Sequence, residues 1–139
     1  MTPSSVKAGF SVDKLKVESS DGRNFVLLVT FSFIRPSGEV VTVPMGATSD
    51  GASTPQAMWN VLPPFGTYWR AAFLHDWLYR GSDRPKGECD TILKEAMESL
   101  GVGWLDRDSI YEGVAIGGEE SFRADRAAQQ AAIAGEVQQ

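Results

Sequence analysis

The segment Ala71-Ala72-Phe73-Leu74-His75-Asp76-Trp77-Leu78-Tyr79 sets the only histidine of the chain beside a carboxylate in an otherwise apolar run. Neither polar group is buried cheaply without a partner. On a helix His75 and Tyr79 share a face, and Asp76, turned about 100° from His75, borders that face. Both polar groups can therefore edge one pocket. Histidine changes charge closest to neutral pH, which suits a general base, and a neighbouring carboxylate orients the ring or binds a cation. The same residues also suit a structural arrangement. His75 then hydrogen-bonds a loop carbonyl and Asp76 caps a backbone turn, fastening the helix to the loop above it.

The loop partner expected for this pair is Asp50-Gly51-Ala52-Ser53, where Asp50 serves as a ligand or as an Asx-turn residue and Gly51 permits a tight bend. Asp90, near the start of the next helix, either reaches back to His75 or favours the positive end of the helix dipole. Ser53 is a nucleophile candidate with His75 as its base, although no Gly-x-Ser-x-Gly elbow surrounds it. The candidate catalytic set is thus His75, Asp76 and Asp50, supported by Ser53, Tyr79 and Asp90. A closed zinc site is disfavoured, because one His and one Cys do not supply the usual nitrogen and sulfur ligands. Oxygens from Asp50 and Asp76, with Asp90 as a further donor, suit calcium, magnesium or manganese. Cys89 falls in an apolar stripe and reads as core, and Trp59, Trp69, Trp77 and Trp104 match no ligand spacing and read as packing.

The elements that must position these residues follow from periodicity. Phe25, Leu27, Val29, Phe31 and Phe33 alternate as one face of an extended strand over 25–34. Arg35-Pro36-Ser37-Gly38 supplies a turn, and Glu39 to Pro44 returns as a β-branched strand, giving a hairpin over Phe25–Pro44. Residues 1–20, with Phe10, Val12, Leu15 and Val17, form an arm or an edge strand. Ser53 or Thr54 can cap a short helix begun by Pro55 and ended at Pro63-Pro64. A strong helix is predicted over Tyr68–Tyr79, closed by Gly81. A second spans Glu88–Leu100, with Cys89, Ile92, Leu93, Ala96, Met97 and Leu100 as its core stripe. Asp108 or Ser109 can cap a short helix carrying Tyr111. The alanine-rich stretch Ser121 to Ala134 has high helix propensity but only Phe122 and Ile133 as bulky apolar residues, which predicts a projecting or partner-packed helix. The expected fold is α+β: a small antiparallel sheet packed against two or three helices, one domain over 1–139, with 119–139 peripheral.

A chain of 139 residues with 42% apolar and 22% charged residues is the size of one domain with one core. The net charge of −5 and a pI near 4.8 argue against attraction to a phosphate backbone, so nucleic acid is not an expected partner. The longest apolar stretch, Phe25 to Ile34, is about half of the roughly 20 residues a membrane-spanning helix needs. Met1-Thr2-Pro3-Ser4-Ser5 lacks the basic start and apolar run of a secretory signal, and the single cysteine fits a reduced compartment.

The residues Ser49-Asp50-Gly51-Ala52-Ser53-Thr54-Pro55, then Trp59, then Ala71 through Tyr79, then Arg84, Asp90 and Met97, resemble domain-of-unknown-function family 1353 over about Phe25 to Ala115. The resemblance implies a phage or prophage setting and no established activity. It therefore implies synthesis in a host cytoplasm, with the virion as a further location. His75, Asp76 and Tyr79 are also similar to the His-Asp-x-x-Tyr pattern of phospholipases, in which the histidine is the base and the aspartate binds calcium. The glycine-rich calcium loop and disulfides of those enzymes are missing here. Phosphohydrolases named for a His-Asp pair fit less well, since their other metal-binding histidines have no counterpart. Two function classes follow. One is a structural or accessory virion component of tail or baseplate, meeting other phage proteins through the N-terminal arm or the C-terminal helix. The other is a small hydrolase acting on peptidoglycan or lipid, with His75 as base and Asp76 and Asp50 as orienter or ligands. A pocket open above His75 favours catalysis, and a sealed, fully hydrogen-bonded centre favours scaffolding.

Overall fold

A computed structural model describes residues 8–22, 24–49, 68–101, 111 and 118–138, the side chains of 136–138 excepted. The strands are β1 (Gly9–Phe10), β2 (Val17–Glu18), β3 (Phe25–Leu27), β4 (Phe31–Ile34), β5 (Val40–Val43) and β6 (Thr48–Ser49). They form two antiparallel sheets, ordered β1-β4-β5 and β2-β3-β6. The fold is α+β, and the N-terminal segment is an edge strand in both sheets.

The strand expected over 25–34 is broken, and its halves belong to different sheets. Phe31 faces Val43 and Phe25 faces Ser49 in one continuous hairpin register, so the two sheets are a single hairpin bent at a corner. On the returning strand the corner is a turn, with Ala47 N–H bonded to the Pro44 carbonyl at 3.1 Å and Gly46 at φ +96°. Pro44 has no N–H to lose there, and Gly46 takes the positive φ without a Cβ clash. Opposite it, Thr30 Oγ1 accepts the Met45 N–H at 2.9 Å and Lys16 O accepts the Leu28 N–H at 2.8 Å. The N-terminal strand follows the bend with one residue more between Phe10 and Val17 than lies between Leu27 and Phe33. The bend also breaks the expected alternation. Leu27, Phe31 and Phe33 are buried, whereas Val29 turns outward and is 48% exposed.

Three long helices complete the described structure: α1 (Trp69–Gly81), α2 (Lys86–Ser99) and α3 (Glu119–Gln138). Each lies within two residues of its expected start, except that α3 runs four residues past Ala134. α2 starts directly after Pro85, and it ends with Gly101 at φ +79°, its N–H bonded to the Glu98 carbonyl at 3.1 Å, a glycine C-cap. α1 lies against the sheet through edge-on rings: Phe25 on Trp69 at 5.4 Å, Trp69 on Phe73 at 5.5 Å and Phe31 on Phe73 at 6.3 Å. The hairpin tip is tied to α2 by Arg35, whose Nε reaches Glu95 at 2.7 Å while Nη1 reaches Glu39 at 2.8 Å. The short helices expected after Ser53 or Thr54 and after Asp108 or Ser109 lie outside the described residues. Tyr111 is helical, with Lys94 Nζ 5.1 Å from its ring centre.

The corner has a direct test in chemical denaturation. Val29→Lys is expected to change stability by less than about 0.5 kcal/mol, while Phe31→Ala and Phe33→Ala each cost about 3–5 kcal/mol. A Val29 cost matching that of Phe31 would restore the single flat strand.

Candidate functional site

α1 and α2 meet through a polar centre inside the core. His75 and Tyr79 are one turn apart on α1, and both reach the same oxygen of Asp90 on α2: His75 Nε2 lies 2.8 Å and the Tyr79 hydroxyl 2.6 Å from Oδ1. From the first turn of α2, Lys86 Nζ donates to Oδ2 at 2.7 Å. The His75 and Tyr79 rings lie 4.2 Å apart, tilted by 54°. His75 and Tyr79 are 0% exposed and Asp90 is 2% exposed.

Burial pushes the Asp90 carboxyl up, but the bonds from His75, Lys86 and Tyr79 outweigh it and hold the group below the usual 3.8. Asp90 is therefore an ionised acceptor, and His75 Nε2 carries the proton that it shares with the carboxylate. The Tyr79 phenol is driven far above its usual value, first by burial and then by its bond to Asp90. This phenol is a fixed donor and not an acid at physiological pH. Burial likewise pushes the neighbouring Cys89 thiol up to about 11, which makes it an inert core group.

Asp76, one residue on from His75, turns to a different partner. Its Oδ2 accepts a hydrogen bond from the Ser49 hydroxyl at the end of β6, and both residues are buried. The step of about 100° between adjacent helix positions separates the two. His75 thus ties α1 to α2, while Asp76 ties α1 to the bent hairpin. Asp50 and Ser53, the expected partners in the loop after the hairpin, lie outside the described residues, and so does the Asp50 half of the expected cation site. Among the described residues, no group of three or more His, Cys, Asp and Glu side chains is placed to hold a metal ion.

Of the two readings open for Asp90, the geometry fits reaching back to His75. Lys86 was not singled out by sequence reasoning, and Ser49 only as the first residue of the family motif. The signal for Lys86 was its position four residues before Asp90, the spacing at which helix side chains pair. For Ser49 that place in the motif gave no sign of a bond to Asp76. Arg126 was also missed, because an arginine in an alanine-rich helix reads as solvated. It donates to the carbonyls of Tyr79 at 2.9 Å and Leu78 at 3.1 Å, and also to that of Arg84.

The sequence profile of the family described as "Protein of unknown function (DUF1353)" matches residues 25–114. The chain is also 34% identical over 99 residues to "Uncharacterized protein y4jT" of Sinorhizobium fredii (strain NBRC 101917 / NGR234), a match covering 69% of this chain and 29% of the relative. The chain therefore spans under a third of the length of that curated relative. No solved structure matches.

The centre makes two testable demands on stability. Tyr79→Phe removes one of three donors to a charged acceptor and is expected to cost about 1.5–3 kcal/mol, with Asp90→Asn costing more. Because the folded-state Asp90 carboxyl lies below its unfolded value, its contribution is complete above that unfolded value and is lost as pH falls through the folded one. Acid denaturation should therefore show a shallower limb in Asp90→Asn than in the unsubstituted protein. Parallel limbs would mean that Asp90 is not the ionised keystone.

Proposed function

The chain belongs to the family of unknown function DUF1353, and on that premise we propose that it works without catalysis, as a structural or accessory protein of a phage particle. The phage setting rests on the resemblance described above. The observation that carries the non-catalytic reading is the state of His75: no exposed surface, with Nε2 committed to a carboxylate that two further donors also hold. A general base must come within hydrogen-bond reach of a substrate proton, directly or through one water. Packed between α1 and α2 with no exposed surface, the ring presents no nitrogen to a substrate arriving from solvent. Asp76 is used in the same way, through Ser49. Among the described residues no helix is long and apolar enough to cross a membrane, so attachment through such a helix is not part of the proposal.

The hydrolase alternative, with His75 as base and Asp76 and Asp50 as orienter or ligands, makes the opposite demand, and one substitution separates the two. In the structural reading His75→Ala destabilises the fold by about 1–3 kcal/mol. Incorporation into particles then falls only as folding does, and hydrolysis of peptidoglycan and phospholipid stays at background for both proteins. Mass spectrometry of purified particles should find the protein at a fixed copy number. A His75→Ala protein with unchanged melting temperature that loses a measurable hydrolytic activity would overturn this reading.

A further inference from the structure

Outside the core, apolar surface gathers at the corner of the bent hairpin. Of the six large apolar side chains left exposed among the described residues, Val26, Leu28, Val29 and Met45 stand there, with Met45 the most open at 67%. Beside them runs an open groove lined by Val12, Leu15 and Val29 and by Lys14 and Lys16. Lys16 stands opposite Leu28, since its carbonyl accepts the Leu28 N–H and Val17 pairs with Leu27 in the same register. The two side chains therefore share the outer face.

The corner itself indicates what covers it. The ammonium groups of Lys14 and Lys16 have no hydrogen bond or ion pair, whereas every other Lys and Arg among the described residues engages a carboxylate, a carbonyl or a ring. The nearby exposed carboxylates, Asp13 and Glu18, line no part of the groove, and Glu18 stands opposite Val26 at its far edge. The groove therefore calls for an anion, even on a chain of net charge −5, because charges beyond about 8 Å are largely screened at physiological salt. The backbone of the turn also needs no water. Met45 N–H is held by Thr30 Oγ1, Gly46 N–H by the Leu27 carbonyl at 2.8 Å and Ala47 N–H by that of Pro44, which has no N–H of its own. This turn can enter an apolar medium without stranding a donor. Finally, the site is a tip on the outer side of a bend. A stable protein interface takes about 800 Å² per partner, more than a few side chains beside a groove lined by five residues can offer. A bilayer accepts a small apolar tip of any shape.

We propose that the corner docks on the surface of an anionic lipid bilayer, with Leu28, Val29 and Met45 at the acyl boundary and Lys14 and Lys16 on lipid phosphates. The long lysine stems lie along the apolar groove while their charged ends stay at the headgroups. Slight apolar insertion and a small cationic patch are each marginal alone, and hold together. The docking needs no membrane-crossing helix and does not rest on the particle role proposed above.

Co-sedimentation of the full chain with vesicles tests this. Vesicles of phosphatidylglycerol and phosphatidylcholine in equal parts should bind the protein, and phosphatidylcholine alone should not. Lys14→Ala with Lys16→Ala should weaken binding about thirtyfold, at about 1 kcal/mol per lysine. Leu28→Ser with Met45→Ser should weaken it about tenfold or more although every charge remains, and millimolar glycerol phosphate or inorganic phosphate should not release it. All four side chains are exposed, so melting temperatures should stay close to that of the unsubstituted protein. Should one pair fail to fold, the other decides. No binding to the mixed vesicles at about 0.1 M salt, equal binding to both vesicle types, or binding indifferent to both pairs overturns the proposal. Release by free phosphate overturns it as well, since a soluble anion is then the ligand. Binding of a peptide of alternating Asp and Leu without binding of the vesicles overturns it in favour of an acidic protein partner.

Discussion

The Asp90 carboxylate is a charge in a place where charges are expensive, and much of the fold is organised around making it tolerable. A carboxylate 2% exposed needs its oxygens occupied, and three donors occupy them from two helices. That requirement sets the rotation of α1, because His75 and Tyr79 must face α2 together. It also sets the start of α2, because Lys86 has to stand one turn before Asp90. With α1 fixed in that rotation, Asp76 falls on the side of β6, where Ser49 receives it. A hydrophobic pair at the same helix contact would fill the space equally well. The polar set adds a unique register, since a slip of one residue in either helix leaves an ionised group without donors.

The hairpin answers a different constraint. A flat strand over 25–34 would present Val29 to the core with Phe31 and Phe33. The corner instead lets Leu27, Phe31 and Phe33 be buried while the backbone at 28–30 turns outward, where Thr30 and Lys16 supply acceptors. Pro44 and Gly46 make the matching bend in the returning strand. Because the register is the same on both sides of the corner, one hairpin serves two sheets, and its two ends meet different helices: Arg35 at the tip reaches α2, and Ser49 at the base reaches α1.

α1 and α2 were legible in the sequence because their apolar spacing runs over three or more turns, and α3 because its alanine-rich stretch has high helix propensity. The hairpin was legible through its turn, Arg35-Pro36-Ser37-Gly38. The corner was not, because five alternating apolar residues describe a flat strand and a bent one equally well. In the site, His75, Tyr79 and Asp90 could be picked out as polar types in apolar stripes. Which carboxylate His75 would use could not be read, because Asp76 is nearer in sequence and Asp90 nearer in space. Arg126 escaped notice since its partners are main-chain carbonyls, which every residue has and no pattern distinguishes.

The lone thiol of the chain sits at the meeting point of all three helices. Cys89 Sγ lies 3.7 Å from the Leu78 carbonyl and 3.7 Å from that of Arg84, with Arg126 Nη2 at 4.0 Å. It has no exposed surface, and burial raises it to about 11, so an alkylating reagent finds neither access nor thiolate while the helices are together. The rate at which Cys89 is labelled is thus a built-in clock for the parting of α1, α2 and α3, readable on the unsubstituted protein without adding a probe.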